Sequence, residues 1–346
     1  MKKYNALAFI LLGLVLTNCQ GTEDAFNINE KKLKAQYSLD ESLSIEVLNP
    51  NSEKIDSIVY AINDKIVGSQ KEGTLFTYEL KNEKLGFGEV KTSVYYDGEV
   101  EKDSTQIEIV SNVQPKLLSY TIVNTYPHDT SAYTQGLEFY NGVLYEGTGQ
   151  YGESTLRKTD YKTGKVDVKV DLEARYFGEG ITFLNDKIYQ LTWQENTAFV
   201  YDAKTLKKEK QFSYPQNMEG WGLTNDGKNL YMTDKSERIH ILDPNTFKEL
   251  DYINVYSLKT RIEAVNELEW VDGKIFGNVY QKDAIAVINP KTGAVEGILN
   301  LADLEAKITK LPDTDVLNGI AYNPATKTFF VTGKNWDKMF EIRINP

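Results

Sequence analysis

"KIYQLTW", residues 187–193, is one of five versions of a single phrase. The others are "VLYEGTG" (143–149), "NLYMTDK" (229–235), "KIFGNVY" (274–280) and "TFFVTGK" (328–334). Each places an aromatic residue third in a strand-like run: Tyr145, Tyr189, Tyr231, Phe276 and Phe330. The anchors stand 44, 42, 45 and 54 residues apart. After each of the first four comes a further strand that ends in a turn: "TDYKTGKV", "YDAKTLKK", "LDPNTFKE" and "INPKTGAV". These read as hairpins closed by Asp/Asn-x-x-Thr or Lys-Thr-Gly turns. A period in the forties built of four short strands is the pattern of a β-propeller. Residues 120–346 hold five such units. The long last interval contains "LADLEAKITKLPDTD" (301–315), a polar insertion in which a short helix is expected. Closure is expected between "SYTIVNTY" (119–126) and "MFEIRI" (339–344).

A second set of phrases precedes the anchors: "YTQGLEF" (133–139), "FGEGITF" (177–183), "EGWGLTN" (219–225), "AVNELEW" (264–270) and "VLNGIAY" (316–322). Their third positions read Gln135, Glu179, Trp221, Asn266 and Asn318. In a propeller one register position repeats around the axis, so these five are expected to face one another at the channel mouth. The seventh position of the anchor phrases, Gly149, Trp193, Lys235, Tyr280 and Lys334, gives an outer ring at the same end. Glu179 is the only acid in the two rings. Gly178 and Gly180 bracket it, and the reading is that they leave it open at the rim. Innermost propeller positions are often polar only to meet channel water. Convergence of one acid, amides, two tryptophans and a lysine points instead to a ligand site.

The chain opens differently. Lys2 and Lys3 precede an apolar run from Ala6 to Leu16, too short to span a bilayer and the length of a signal-peptide core. The run ends in Leu16-Thr17-Asn18-Cys19, which resembles a bacterial lipobox. The expectation is a lipoprotein signal peptide (1–18), lipidation of Cys19 and a short polar tether (19–27). This puts the protein in a bacterial cell envelope, anchored to the outer membrane on its periplasmic or surface face. Cys19 is the only cysteine, which excludes disulfides and cysteine metal sites downstream. Residues 28–113 carry alternating runs, "LSIEVLN", "IDSIVYAI", "TLFTYEL", "VKTSVYY" and "TQIEIV", expected to form a small immunoglobulin-like β-sandwich. No catalytic constellation falls within it, and a spacer role is the plain reading. Pro115 marks the boundary to the propeller, assigned to 119–346. A net charge of −11 argues against a nucleic-acid partner, and two histidines, His128 and His240, against a multi-histidine metal centre. The fold class expected is all-β: a five-bladed propeller preceded by the sandwich, acting as a monomer.

Across residues 120–346 the segments resemble the plant-type glutaminyl-peptide cyclotransferases. The resemblance is carried by "YTQGLEFYNGVLYEGTGQYGES", "FGEGITFLNDKIYQLTWQE", "EGWGLTNDG", "VNELEWVDGKIFGNVYQKD" and "LNGIAYNP" with "TGKNWDKMFEI". It implies a five-bladed propeller enzyme that closes an N-terminal glutamine of a peptide or protein to pyroglutamate and releases ammonia. The family's acid/base glutamate falls on Glu179, its amides on Gln135 and Asn266, its aromatic wall on Trp193 and Trp221, and its lysine on Lys334. The family's usual Phe-Thr-Gln is Tyr133-Thr134-Gln135 here, and a further wall tryptophan is Tyr280. Phe177 completes the expected substrate-binding set. The sandwich lies outside the resemblance.

The residues suit that chemistry. The nucleophile is the substrate's own α-amine, so the enzyme has to orient it and move a proton. No cofactor is required. Two other readings stay open on the residues alone. One is a hydrolase or lactonase holding calcium on the axis through Glu179, Asn266 and Asn318. The other is a non-enzymatic adhesin that grips sugar or peptide with its aromatics. A structural calcium in the channel is compatible with all three.

Overall fold

The computed structural model describes residues 25–71, 73–214 and 218–345. The fold is all-β, and its one α-helix among the described residues is Ala302–Glu305, inside the polar insertion. The chain forms two compact units. One takes the described part of Met1–Lys32 with Ile45–Phe76 and Val90–Thr105; the other takes Leu33–Ser44, Thr77–Glu89 and Gln106 onward.

Two sheets precede residue 113. One is three-stranded (Asn27–Ile28, Ser42–Leu48, Leu75–Glu79). The other is five-stranded, in the order Gln36–Ser38, Glu99–Val110, Gly86–Tyr96, Ile55–Ile62, Lys65–Gln70. Side chains alternate across a strand, so one face can be apolar while the other meets water. Ser42–Leu48 shows this: Leu43, Ile45 and Val47 are buried and their neighbours are not.

Five larger sheets and one two-stranded ribbon, Tyr256–Ser257 with Thr260–Arg261, follow among the described residues. The first four each take consecutive antiparallel strands, starting at Thr134–Tyr140, Gly178–Leu184, Leu223–Asn225 and Val265–Val271. Lys116–Leu118 adds a parallel fifth strand to the last of these. The remaining sheet joins both ends of the region: Leu317–Asn323, Thr328–Gly333 and Lys338–Ile344 are completed by Tyr120–Pro127. Tyr120 pairs with Ile344 and Pro127 with Lys338, the closure read from the sequence. The first strands of the five sheets pack against one another in cyclic order, the last against the first.

This arrangement explains the sequence repeat. The aromatic anchors are all buried, and each fills the gap to a neighbouring sheet. Tyr145 packs with Phe183 and Ile188, and Tyr189 with Leu223 and Leu230. One slot recurs, so one residue type recurs. The turns repeat too. The carboxylates of Asp160, Asp202 and Asp243 each accept the hydroxyl of the threonine three residues on.

Burial falls from inside outward. Gly178–Leu184 is buried along its whole length, whereas Lys208–Ser213, last in the same sheet, is mostly exposed. An innermost strand has one edge with no β-partner, and its N–H groups need acceptors. Buried glutamates supply them. Glu267 accepts from Leu137 N at 3.2 Å and Ile320 N at 2.8 Å, Glu138 from Phe183 N at 3.2 Å, and Glu269 from Tyr322 N at 2.8 Å. Burial pushes all three carboxyls above the usual carboxylate range.

Candidate active site

Most of the two expected rings gathers at one end of the inner strands. A cavity of ≈ 290 Å³ there is lined by nine of the residues singled out above: Tyr133, Gln135, Phe177, Glu179, Trp193, Trp221, Asn266, Tyr280 and Lys334. The tenth is Gln150, which the sequence reading missed; it directly follows the outer-ring Gly149. Three ring members, Asn318, Lys235 and Gly149, do not line the cavity. Asn318 lies behind it, fully buried and bonded to Gln135. Lys235 points to solvent and pairs with Glu219 at 3.1 Å. Gly149 contributes space: a Cβ there would meet the Phe177 ring at 2.3 Å.

The reading of Glu179 as an open carboxylate is corrected. It is 3% exposed. Its flanking glycines serve backbone packing, not access. A Cβ on Gly178 would lie 2.7 Å from Thr148 O in the preceding sheet, and one on Gly180 2.6 Å from Trp221 O in the following sheet. Gly180 N donates to that same oxygen at 2.8 Å. The strand is wedged between two backbones, and its glutamate projects from a wall.

Burial is therefore the largest influence on Glu179 and raises its pKa well above the ordinary carboxyl value. Lys334 opposes the rise, while Glu195 and Glu219 add to it. Burial likewise lowers Lys334, against the pull of Glu179 and Asp315. The two groups are thus drawn toward each other's range, the pattern expected where protons are exchanged. Glu179 Oε1 accepts from Gln135 Nε2 at 3.0 Å. Among the described residues its Oε2 has no partner, nor has Asn266 Oδ1, and both are buried.

The walls are aromatic and mutually braced. Phe177 meets Trp193 edge-on at 5.6 Å and Tyr133 at 6.0 Å; Trp221 meets Tyr280 at 5.6 Å. The Lys334 ammonium lies 4.7 Å from the Tyr133 ring centre and 5.3 Å from that of Tyr280. Both indole N–H groups donate to one oxygen, Glu219 Oε2, at 3.0 Å from Trp193 and 3.1 Å from Trp221. Burial works to raise the Glu219 carboxyl, but the bonds from Trp193, Lys235 and Trp221 outweigh it and hold it low. Glu219 was not picked out from sequence. The signal was present: it occupies the register position of Tyr133 and Phe177, two before the inner ring.

Replacing Glu219 by leucine is expected to release both indoles and raise KM about tenfold, the cost of one or two charge-assisted hydrogen bonds. Lys235→Ala is expected to stay within about twofold, because its ion pair is solvent-exposed. Steady-state kinetics on both variants check the pair; equal effects would mean that Glu219 does not order the wall.

A wall of this kind around buried acceptors invites comparison with known proteins. A model of the family described as glutamine cyclotransferase matches residues 96–344. The chain belongs to the glutamine cyclotransferase family. A glutaminyl-peptide cyclotransferase of Arabidopsis thaliana is 40% identical over 226 residues, covering 64% of this chain and 70% of that protein. The crystal structure of the Myxococcus xanthus glutaminyl cyclase superposes with a TM-score of 0.62 at 30% identity, covering 67% of this chain and 99% of that one. The family match takes in every residue of the cavity.

Proposed function

We propose that the five sheets are the blades of a five-bladed β-propeller and that its cavity cyclises N-terminal glutamine, with Glu179 as the acid/base. The observation that carries the assignment is the pair of unpartnered buried acceptors, Glu179 Oε2 and Asn266 Oδ1, inside an aromatic wall. Unpaired buried oxygens are costly unless a ligand satisfies them. A substrate with an apolar stem, an amide and an α-ammonium supplies both the donors and the surface for the rings.

The α-amine nitrogen attacks the γ-amide carbon of its own side chain. A C–N bond forms, and the bond to the side-chain nitrogen breaks. Glu179 takes a proton from the amine and delivers it to that nitrogen, which leaves as ammonia. A carboxyl raised by burial is closer to the amine in proton affinity than an exposed one, and the transfer is easier for it. Lys334, the only cation lining the cavity among the described residues, is available to the oxygen on which charge develops. Trp193, Trp221, Phe177, Tyr133 and Tyr280 hold the side chain and exclude water, which favours closure over hydrolysis. The reaction is an intramolecular acyl transfer.

The test is ammonia release from a glutaminyl peptide, with and without a chelator. Release that persists in chelator supports the proton-transfer reading. Loss in chelator favours a metal held by the buried oxygens Glu179 Oε2, Asn266 Oδ1 and Asn318 Oδ1, atoms of the kind calcium prefers. No release under either condition sinks the assignment.

The two N-terminal sheets are proposed to form an immunoglobulin-like spacer. The signal peptide, Cys19 and most of the tether lie outside the described residues. Attachment to the envelope through lipidated Cys19 rests on Leu-Thr-Asn-Cys and on the stable binding that several acyl chains provide. Cys19→Ala is expected to move the protein from the membrane pellet to the soluble fraction; an unchanged pellet would count against lipidation.

A further inference from the structure

Asn318 sits one step behind the cavity; from sequence it was read as a ring member and, in the calcium reading, as an oxygen ligand. Its hydrogen bonds are directional. Asn318 Nδ2 lies 2.9 Å from Thr134 O, a carbonyl that can only accept. This fixes which end of the Asn318 amide faces the Thr134–Gln135 strand. The same Nδ2 lies 3.2 Å from Gln135 Oε1 and donates its second hydrogen there. Gln135 must then present its own NH₂ to Glu179, and Nε2 does lie 3.0 Å from Glu179 Oε1. An amide cannot reverse in the middle of such a chain without setting two donors or two acceptors face to face. The backbone carbonyl of Thr134 therefore sets, through two side-chain amides, the identity of the group that Glu179 meets.

We propose that Asn318 is a positioning residue for catalysis: through Gln135 it directs a hydrogen-bond donor onto Glu179 Oε1, so that the transferable proton of Glu179 is carried on Oε2. This deepens the acid/base reading of Glu179 and rests on it. Two consequences follow from the polarity. The donor on Oε1 favours the carboxylate over the acid. It also leaves Oε2, the unpartnered atom, as the one that exchanges protons with substrate. The other groups acting on Glu179 are Lys334, which stabilises its charge, and Glu195 and Glu219, which oppose it; the hydroxyls of Tyr133, Tyr151 and Tyr214 also feel it. None of these is bonded to Oε1, where Gln135 alone donates among the described residues.

Asn318→Asp tests the relay. An aspartate in this place offers only acceptors when ionised. Gln135 then turns its NH₂ toward residue 318 and its oxygen toward Glu179, which has to hold a proton on Oε1. The expected result is that the acid limb of the kcat/KM–pH profile moves up by about one pH unit, a tenfold loss at fixed pH on the acid side. In a Gln135→Met background the relay is already cut, and adding Asn318→Asp is expected to move the limb no further. Should the aspartate variant not fold, Asn318→Leu keeps the volume, removes the donor, and is expected to shift the limb in the same direction by less. An acid limb that stays in place, with activity lowered equally at every pH, would overturn the relay and leave Asn318 a packing residue. So would equal shifts with and without Gln135. A wild-type enzyme that releases no ammonia would sink the reading of Glu179 itself, a different outcome from an active enzyme with an unmoved limb.

Discussion

Glu179→Gln is expected to lower turnover at least about a hundredfold, the low end for a positioned acid/base, while leaving the folded protein at least as stable as the wild type. The two halves have one cause. Burial raises the Glu179 carboxyl above its unfolded value. An acid whose folded pKa is raised binds its proton more tightly when folded, so folding loses stability as pH climbs from the ordinary carboxyl value (~4.3) to the raised one. Glutamine has no proton to lose and is free of that penalty. The melting temperature of Glu179→Gln relative to wild type should therefore rise with pH across this window and level off above it. In the wild type, kcat/KM should rise with pH through the same window, because the ionised carboxylate accepts the amine proton. Ammonia release and thermal melts across pH check both halves. Near-normal turnover in Glu179→Gln would remove the acid/base role. A variant less stable at every pH would mean that Glu179 is there for structure.

Gly180→Ala is expected to damage fold and site together. Its Cβ would lie 2.6 Å from both Leu223 N and Trp221 O, backbone atoms with no rotamer to escape into. Overpacking of this kind costs about 1–3 kcal/mol. Relief requires the two inner strands to part, and Trp221 moves with them. A misplaced wall lowers kcat/KM about tenfold or more. The check is a melt alongside steady-state kinetics. Loss of activity with an unchanged melt would mean that the glycine serves access after all, as its place beside the glutamate first suggested.

That contrast shows where sequence reading stops. The anchors Tyr145 to Phe330 were legible because five equivalent gaps between sheets demand the same shape. Gln135, Glu179, Trp221 and Asn266 were legible because register carries each to the same height in the channel, and Lys334 for the same reason one strand further out. Those inferences need only a period. The clasping glutamates Glu138, Glu267 and Glu269 were not legible. Their task, capping N–H groups on other sheets, depends on pairs up to 130 residues apart being brought to hydrogen-bond distance by closure, as for Glu267 and Leu137. Glu219 was missed for a related reason. It holds Trp193 and Trp221 from two different sheets, and no local pattern announces a carboxylate that serves two walls. The glycines beside Glu179 were seen but misread: from sequence, absent side chains look like empty space, and here the space is filled by backbone.

The seam where Tyr120–Pro127 meets Lys338–Ile344 has a consequence for how such enzymes are recognised. Asn345 N donates to Ser119 O at 2.9 Å, so the two ends of the closed region lie side by side. Lys334 and Asn318 belong to the sheet that holds both ends, while Gln135 and Glu179 belong to the next two. The order in which these motifs occur along the chain is set by where the circle was cut, not by the chemistry. A permuted gene, with its ends joined here and reopened at an exposed hairpin such as Asp272-Gly273, would encode the lysine phrase ahead of the glutamate phrase and still bring both to one cavity. Motif order is therefore a record of ancestry in this architecture, and searches that demand it will overlook rotated relatives with the same active site.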